Sequence, residues 1–292
     1  ASRLKYAFFI GCVAPVMARQ SEVATRRIAK EFDVELMDVF DFACCGFPVR
    51  SVDVETSLLL AARNLSIAEK LGLNICTICS GCASTLTEAN KELNENDSLR
   101  QEVNRKLSKI GREYNGGVDV KHFAKVLYKD VGLEKIKSKV KKSLEHLTIA
   151  SHYGCHYLKP SHAYGKEEDP EFPNSLDELI TVTGAKSVNY EDKMQCCGGN
   201  ILGVDENITF RIAGKKLDHI KAVAADAISL ICPLCDMIYD RSQKLIERKF
   251  SKSYEIPVLF YPQIMGLALG INQEELGFDM NRVNVSGLLN KV

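Results

Sequence analysis

Ten of the chain's eleven cysteines fall into two sets with the same internal order. Each set has a single cysteine, then an adjacent pair followed by glycine, then Cys-x-x-Cys. The first is Cys12, Cys44-Cys45-Gly46 and Cys79/Cys82; the second is Cys155, Cys196-Cys197-Gly198-Gly199 and Cys232/Cys235. Adjacent cysteines do not readily bond to each other, but both thiolates can reach one polynuclear metal centre. Five thiolates per set is one more than an ordinary four-cysteine iron–sulfur site needs. Zinc, the main rival, takes four ligands, usually from local knuckles. Here the ligands come from three separated places, all are soft, and no histidine has zinc-like spacing, which favours iron–sulfur. A disulfide framework belongs to short secreted chains and to even cysteine counts. Cys76 offers a competing Cys76-x-x-Cys79 pair. Aligning the strands sets Cys79 opposite Cys232 and Cys76 opposite Ser229, so Cys76 reads as a buried small residue.

The elements that position these cysteines repeat as well. Leu4–Ile10 and Leu147–Tyr153 are apolar runs ending at Gly11-Cys12 and Gly154-Cys155, each read as a buried strand and a tight turn. Helical patterns follow at Glu22–Phe32 and at Ser175–Thr183, with Ser175 as the expected N-cap. Short strands, Val34–Val39 and Lys186–Tyr190, lead to each Cys-Cys-Gly. Helices are expected at Glu55–Leu71 and Asn207–Val223. Strands Ile75–Ile78 and Ala227–Ile231 run into each Cys-x-x-Cys, and helices Ala83–Leu93 and Met237–Arg248 come after. Residues 118–127 and 256–265 each read as a strand entering a helix. The order never breaks, which marks an internal duplication with halves 1–145 and 146–292. Alternating strand and helix predicts an α/β fold of two pseudo-twofold-related, Rossmann-like units with mainly parallel sheets. Cysteines at strand C-terminal ends stand where open α/β sheets bind ligands, next to helix N-termini.

Composition narrows the function. At 292 residues, 46% hydrophobic and 26% charged, the chain can build a large core. Its 38 basic and 38 acidic residues balance, so it carries no electrostatic footprint for nucleic acid. No apolar stretch is long enough for a membrane span, and Lys5 interrupts any signal-peptide pattern. A cytoplasmic protein is expected. The insert 159–175, polar and Pro-rich, lies just downstream of Cys155 and could cover the second metal site.

The doubled motif resembles the Cys-Cys-Gly domain family, and the whole chain is similar to the B subunit of heterodisulfide reductase. That resemblance implies two noncubane [4Fe-4S] clusters, held by Cys12, Cys44, Cys45, Cys79 and Cys82 and by Cys155, Cys196, Cys197, Cys232 and Cys235. They would face each other around a small-molecule disulfide, the mixed disulfide of coenzymes M and B in methanogenic archaea. It also implies two partners from the same complex, the ferredoxin-like C subunit and the flavin-containing A subunit. The chain has no flavin or nucleotide motif of its own.

Two side chains are candidates for the chemistry. His156 follows Cys155 and could protonate a leaving thiolate. Lys215 and Lys216, on the helix after Cys196-Cys197, could reach an anionic group, as could Arg19, Arg50 and His219. Gly46, Gly198 and Gly199 would let backbone approach the metal. The competing readings are a structural zinc protein and a non-catalytic member of an electron-transfer complex.

Overall fold

The computed structural model describes residues 4–165 and 168–292. Two four-stranded sheets carry the two halves. In the first, β1 (Leu4–Phe9), β2 (Val34–Asp38), β3 (Asn74–Thr77) and β4 (Val120–His122) lie in the order β2-β1-β3-β4. In the second, β5 (Thr148–His152), β6 (Lys186–Val188), β7 (Ala227–Leu230) and β8 (Val258–Phe260) lie in the order β6-β5-β7-β8. Every pairing is parallel. The two sheets thus share one topology, as the repeat requires.

The principal helices of the first half are α1 (Arg19–Glu31), α2 (Val54–Lys70), α3 (Ser80–Glu95), α4 (Asp97–Leu107) and α5 (Leu133–Lys139). Those of the second are α6 (Ser175–Thr181), α7 (Glu206–Ala222), α8 (Gln243–Phe250) and α9 (Tyr261–Ala268). Helices α2 and α7 each begin at an aspartate, Asp53 and Asp205, whose carboxylate accepts from N–H groups of the first turn.

Strand alternation sends side chains into two different cores. On β1, Ala7 and Phe9 pack with Ala61, Leu65 and Leu86 of α2 and α3. Tyr6 and Phe8 point the other way, into a core built from both halves. That shared core joins Ile28 and Phe32 with Leu176 and Leu179, and Phe123 and Leu127 with Tyr261 and Ile264. Helix α1 packs on α9 of the opposite half. Further bonds cross the seam: Tyr128 donates to Glu178 at 2.7 Å, and Gln20 Nε2 donates to Asp236 at 3.3 Å. The chain end returns to the first half, where Arg27 pairs with Glu275.

The structure departs from the sequence reading in three places. Ser175 does not cap α6 with its side chain; Glu168 of the insert accepts from the Asn174 and Ser175 N–H groups and from the Ser175 hydroxyl. A longer acidic side chain from a neighbouring loop has taken over the capping. The helix expected over Met237–Arg248 is broken by a π-turn at Met237–Arg241. There Asp240 accepts from the backbone N–H groups of Arg282 and Val283, so the C-terminal segment anchors the turn. Lastly, the insert crosses to α3 instead of covering the second set. Ser84 donates to the Lys159 carbonyl at 3.0 Å and Lys91 to that of His162 at 2.5 Å. Lys166 and Glu167 of the insert lie outside the described residues. No helix among the described residues is long and apolar enough to cross a membrane.

Candidate metal centre

Every cysteine of the two sets sits in a loop or first turn at the C-terminal edge of its sheet. Cys12 and Cys155 follow β1 and β5. The Cys-Cys-Gly segments follow β2 and β6. Cys79 and Cys232 are N-cap residues after β3 and β7, each with its partner in the next turn. Parallel strands, all pointing to one edge, therefore gather ligands from distant parts of the chain. The dipole of the sixteen-residue α3 directs its positive end at the same place.

Both sets open onto one cavity of about 290 Å³. Nine of the ten cysteines line it, and the tenth, Cys44, is the chain neighbour of Cys45. Thiols within a set are close: Cys155 and Cys196 are 3.7 Å apart, Cys197 and Cys235 3.5 Å. The sets also approach each other: the Cys79 and Cys232 thiols are near enough for each to shift the other's titration. These two residues are equivalent in the repeat, each the N-cap residue after the third strand of its half.

The surroundings suit a sulfur-bound anionic cluster. Backbone N–H groups of Gly46, Gly198 and Gly199 donate to Cys44, Cys196 and Cys197 sulfurs at 3.4–3.5 Å. Gly46 and Gly198 have φ of 97° and 78°, the left-handed turn that lets the chain fold back on its own cysteine. Some thiols are driven towards thiolate. The Cys155 S–H pushes Cys196 down to about 2, the Cys44 S–H pushes Cys45 down to about 4, and Cys235 holds Cys232 well below the usual range. Ten thiols, three of them shown with backbone donors to sulfur, and no histidine among the candidate ligands fit iron–sulfur chemistry better than a four-ligand zinc site.

Cys76 is fully buried in the shared core, on the β3 face with Tyr6 and Phe8. It does not line the cavity. His156 does; its Nδ1 lies 3.3 Å from Ser84 Oγ, and its ring meets Phe47 edge-on at 4.7 Å. Burial lowers its pKa, which keeps the imidazole neutral. Lys215 is not brought to the site. It is exposed and paired with Asp192 at 2.9 Å, because the helix turns that position outward. His219 joins the same acidic group, Arg50 pairs with buried Glu88, and Arg19 is exposed. No lysine or arginine lines the cavity among the described residues.

Behind the second set, sequence reasoning had Lys216 only as a possible anion contact and passed over His152. Lys216 is completely buried, and burial pushes its pKa down to about 8. His152, at the end of β5, lies between Lys216 and Cys235. A signal existed for Lys216: it falls on the buried stripe of Thr209, Ala213, Leu217 and Ile220.

The site and fold define a class. The cysteine-rich domain called CCG matches residues 6–87 and 149–239, and the chain belongs to this family. It is 38% identical to the B subunit of the ferredoxin/F(420)H(2)-dependent CoB-CoM heterodisulfide reductase of Methanosarcina acetivorans, over 99% of this chain and 97% of the relative. It is 33% identical to the 8-methylmenaquinol:fumarate reductase membrane anchor subunit of Wolinella succinogenes, over 97% and 99%. Among solved structures, a hypothetical protein from Helicobacter pylori superposes with a TM-score of 0.78 at 16% identity, over 98% of this chain and 53% of that one. That likeness supports the fold alone.

Proposed function

We propose that this chain is the disulfide-reducing iron–sulfur component of a heterodisulfide reductase, acting on the coenzyme M–coenzyme B disulfide. Two noncubane [4Fe-4S] clusters, each held by one five-cysteine set, would supply one electron and one sulfur-binding iron site apiece. The observation that carries the reading is the single cavity with both cysteine sets on its walls. An S–S bond takes two electrons and two protons to give two thiols, so two one-electron centres facing one bond avoid a free thiyl radical. The chain's own part is to hold the bond and to move protons. Val13, Phe47, Pro48 and Leu234 give the cavity an apolar wall. Without lysine or arginine inside, the sulfonate and phosphate ends of the substrate would extend outside it. His156, on the wall beside Cys155, is proposed to take a proton from solvent and pass it to a leaving thiolate, returning to the neutral ring.

Electrons must come from elsewhere, since the chain has no flavin or nucleotide motif. The ferredoxin-like C subunit and the flavin-containing A subunit of such a complex are the proposed partners. Two relatives named as B subunits, matched over nearly their full length, support a place in such a complex. The Wolinella relative favours a second reading, a non-catalytic component passing electrons between a quinol-linked partner and another enzyme.

Two measurements decide. About 8 Fe and 8 acid-labile sulfides per chain are expected, whereas two Zn without sulfide would make the site structural. Reduced benzyl viologen should be oxidised when the heterodisulfide is added. A fully loaded chain inert towards the disulfide would leave the electron-relay reading.

A further inference from the structure

The two halves differ behind the sulfur sets. Where the first has Phe9, Asn64 and Leu86, the equivalent positions of the second are His152, Lys216 and Tyr239, and all six are buried. Asn64 has a structural task. Its Nδ2 donates to the carbonyls of Ala43 and Cys44 at 3.3 and 3.0 Å, and its Oδ1 accepts from Ala43 N–H, which pins the loop ahead of Cys44. Lys216 pins the corresponding loop, donating to Gln195 O at 2.6 Å and Lys193 O at 3.0 Å. An amide suffices for that task in the first half, whereas a buried ammonium is costly unless all its N–H groups are bonded.

The third N–H explains the choice of residue. Lys216 Nζ lies 3.1 Å from His152 Nδ1. An ammonium has three donors and no acceptor, and here it meets three acceptors. His152 Nδ1 therefore accepts, and the ring proton resides on Nε2. Nε2 lies 3.2 Å from Cys235 Sγ. The Tyr239 ring meets the imidazole edge-on at 5.0 Å and fixes its plane. In the first half the same place holds Phe9, whose ring has no N–H to give to Cys82.

We infer that His152 and Lys216 are positioning residues that donate one cation-backed hydrogen bond to the Cys235 sulfur, so that the second cluster is reduced at a more positive potential than the first. Hydrogen bonds to ligand sulfurs and nearby positive charge both favour the reduced, more negative cluster. The inference rests on the two-cluster reading above.

The test is an electron-paramagnetic-resonance redox titration of the iron-loaded chain, with iron counted on the same samples. Wild type should show two separate midpoint potentials. His152→Phe, which copies the first half, should lower the higher one and leave the other in place. Lys216→Met, which keeps the buried stem, should move the same potential in the same direction. His152→Gln, which keeps an N–H donor, should recover part of the shift. Unmoved potentials at full iron, equal movement of both, or loss of one cluster in all three variants would overturn the tuning role. Iron for a single cluster in the wild type would refute the two-cluster reading itself, before any variant is made.

Discussion

His122 Nε2 lies 2.8 Å from the carbonyl oxygen of Ile231, so the last strand of the first half is bonded to the residue preceding Cys232. His122 Nδ1 accepts from Ala124 N–H, which leaves the ring neutral with its proton on Nε2. Burial pushes His122 down to about 4, whereas an unfolded histidine titrates near about 6.5. Below that value the unfolded chain binds the proton more readily. This contribution to stability is therefore complete above pH of about 6.5 and is lost as pH falls through about 4, a total of about 3 kcal/mol. His122→Gln should flatten that dependence. Denaturant midpoints at neutral and mildly acid pH check it, and equal acid sensitivity in variant and wild type would contradict it.

Cys196→Ser and Cys197→Ser should each lose or remodel one cluster and abolish disulfide reduction. Cys76→Ser should keep full iron, because that sulfur faces the shared core. Its only cost should be stability, about 1–3 kcal/mol for a hydroxyl without a partner. Iron analysis compared with Cys79→Ser decides; equal iron loss in the two would mean that Cys76 is a ligand.

His156→Asn separates proton handling from cluster assembly. Full iron with turnover reduced at least about tenfold, about 1.4 kcal/mol of barrier, is the expected outcome. Iron loss would show that the imidazole helps hold the cluster, and unchanged turnover would remove it from the chemistry.

The two Cys-Cys-Gly glycines should respond unequally to alanine. A Cβ at Gly46 would stand 2.5 Å from the Ser57 carbonyl oxygen of α2, a backbone atom that cannot swing aside. At Gly198 the nearest heavy atom is 3.4 Å away. Gly198→Ala should then cost only the left-handed backbone strain, about 1–2 kcal/mol. Gly46→Ala should cost at least twice as much and deplete iron from the first set. Unfolding curves and iron content measure both.

Much of this architecture was readable because the duplication was. Each apolar run that ended at a cysteine became a parallel strand, and the cysteines did fall at one edge of each sheet. What stayed hidden depended on contacts between distant residues. Lys215 and Lys216 are neighbours on one helix, about 100° apart around its axis, and only the buried stripe separates the exposed one from the buried one. His152 looks like one polar residue in an apolar run until Lys216 and Cys235 come together around it. At the π-turn over Met237–Arg241, Asp240 binds the C-terminal segment, a partner over forty residues away that no local periodicity reports.

The approach of Cys79 to Cys232 has a consequence for descent. Two identical half-chains paired about a twofold axis would offer any bound molecule two indistinguishable ways to lie. A single duplicated chain is free of that constraint, because each half can change without the other. The substitutions that set Val13 against His156, Phe9 against His152 and Asn64 against Lys216 used this freedom. The first of these differences lies on the cavity wall and the other two behind it, so the two ends of an unsymmetrical guest would meet chemically unlike surroundings.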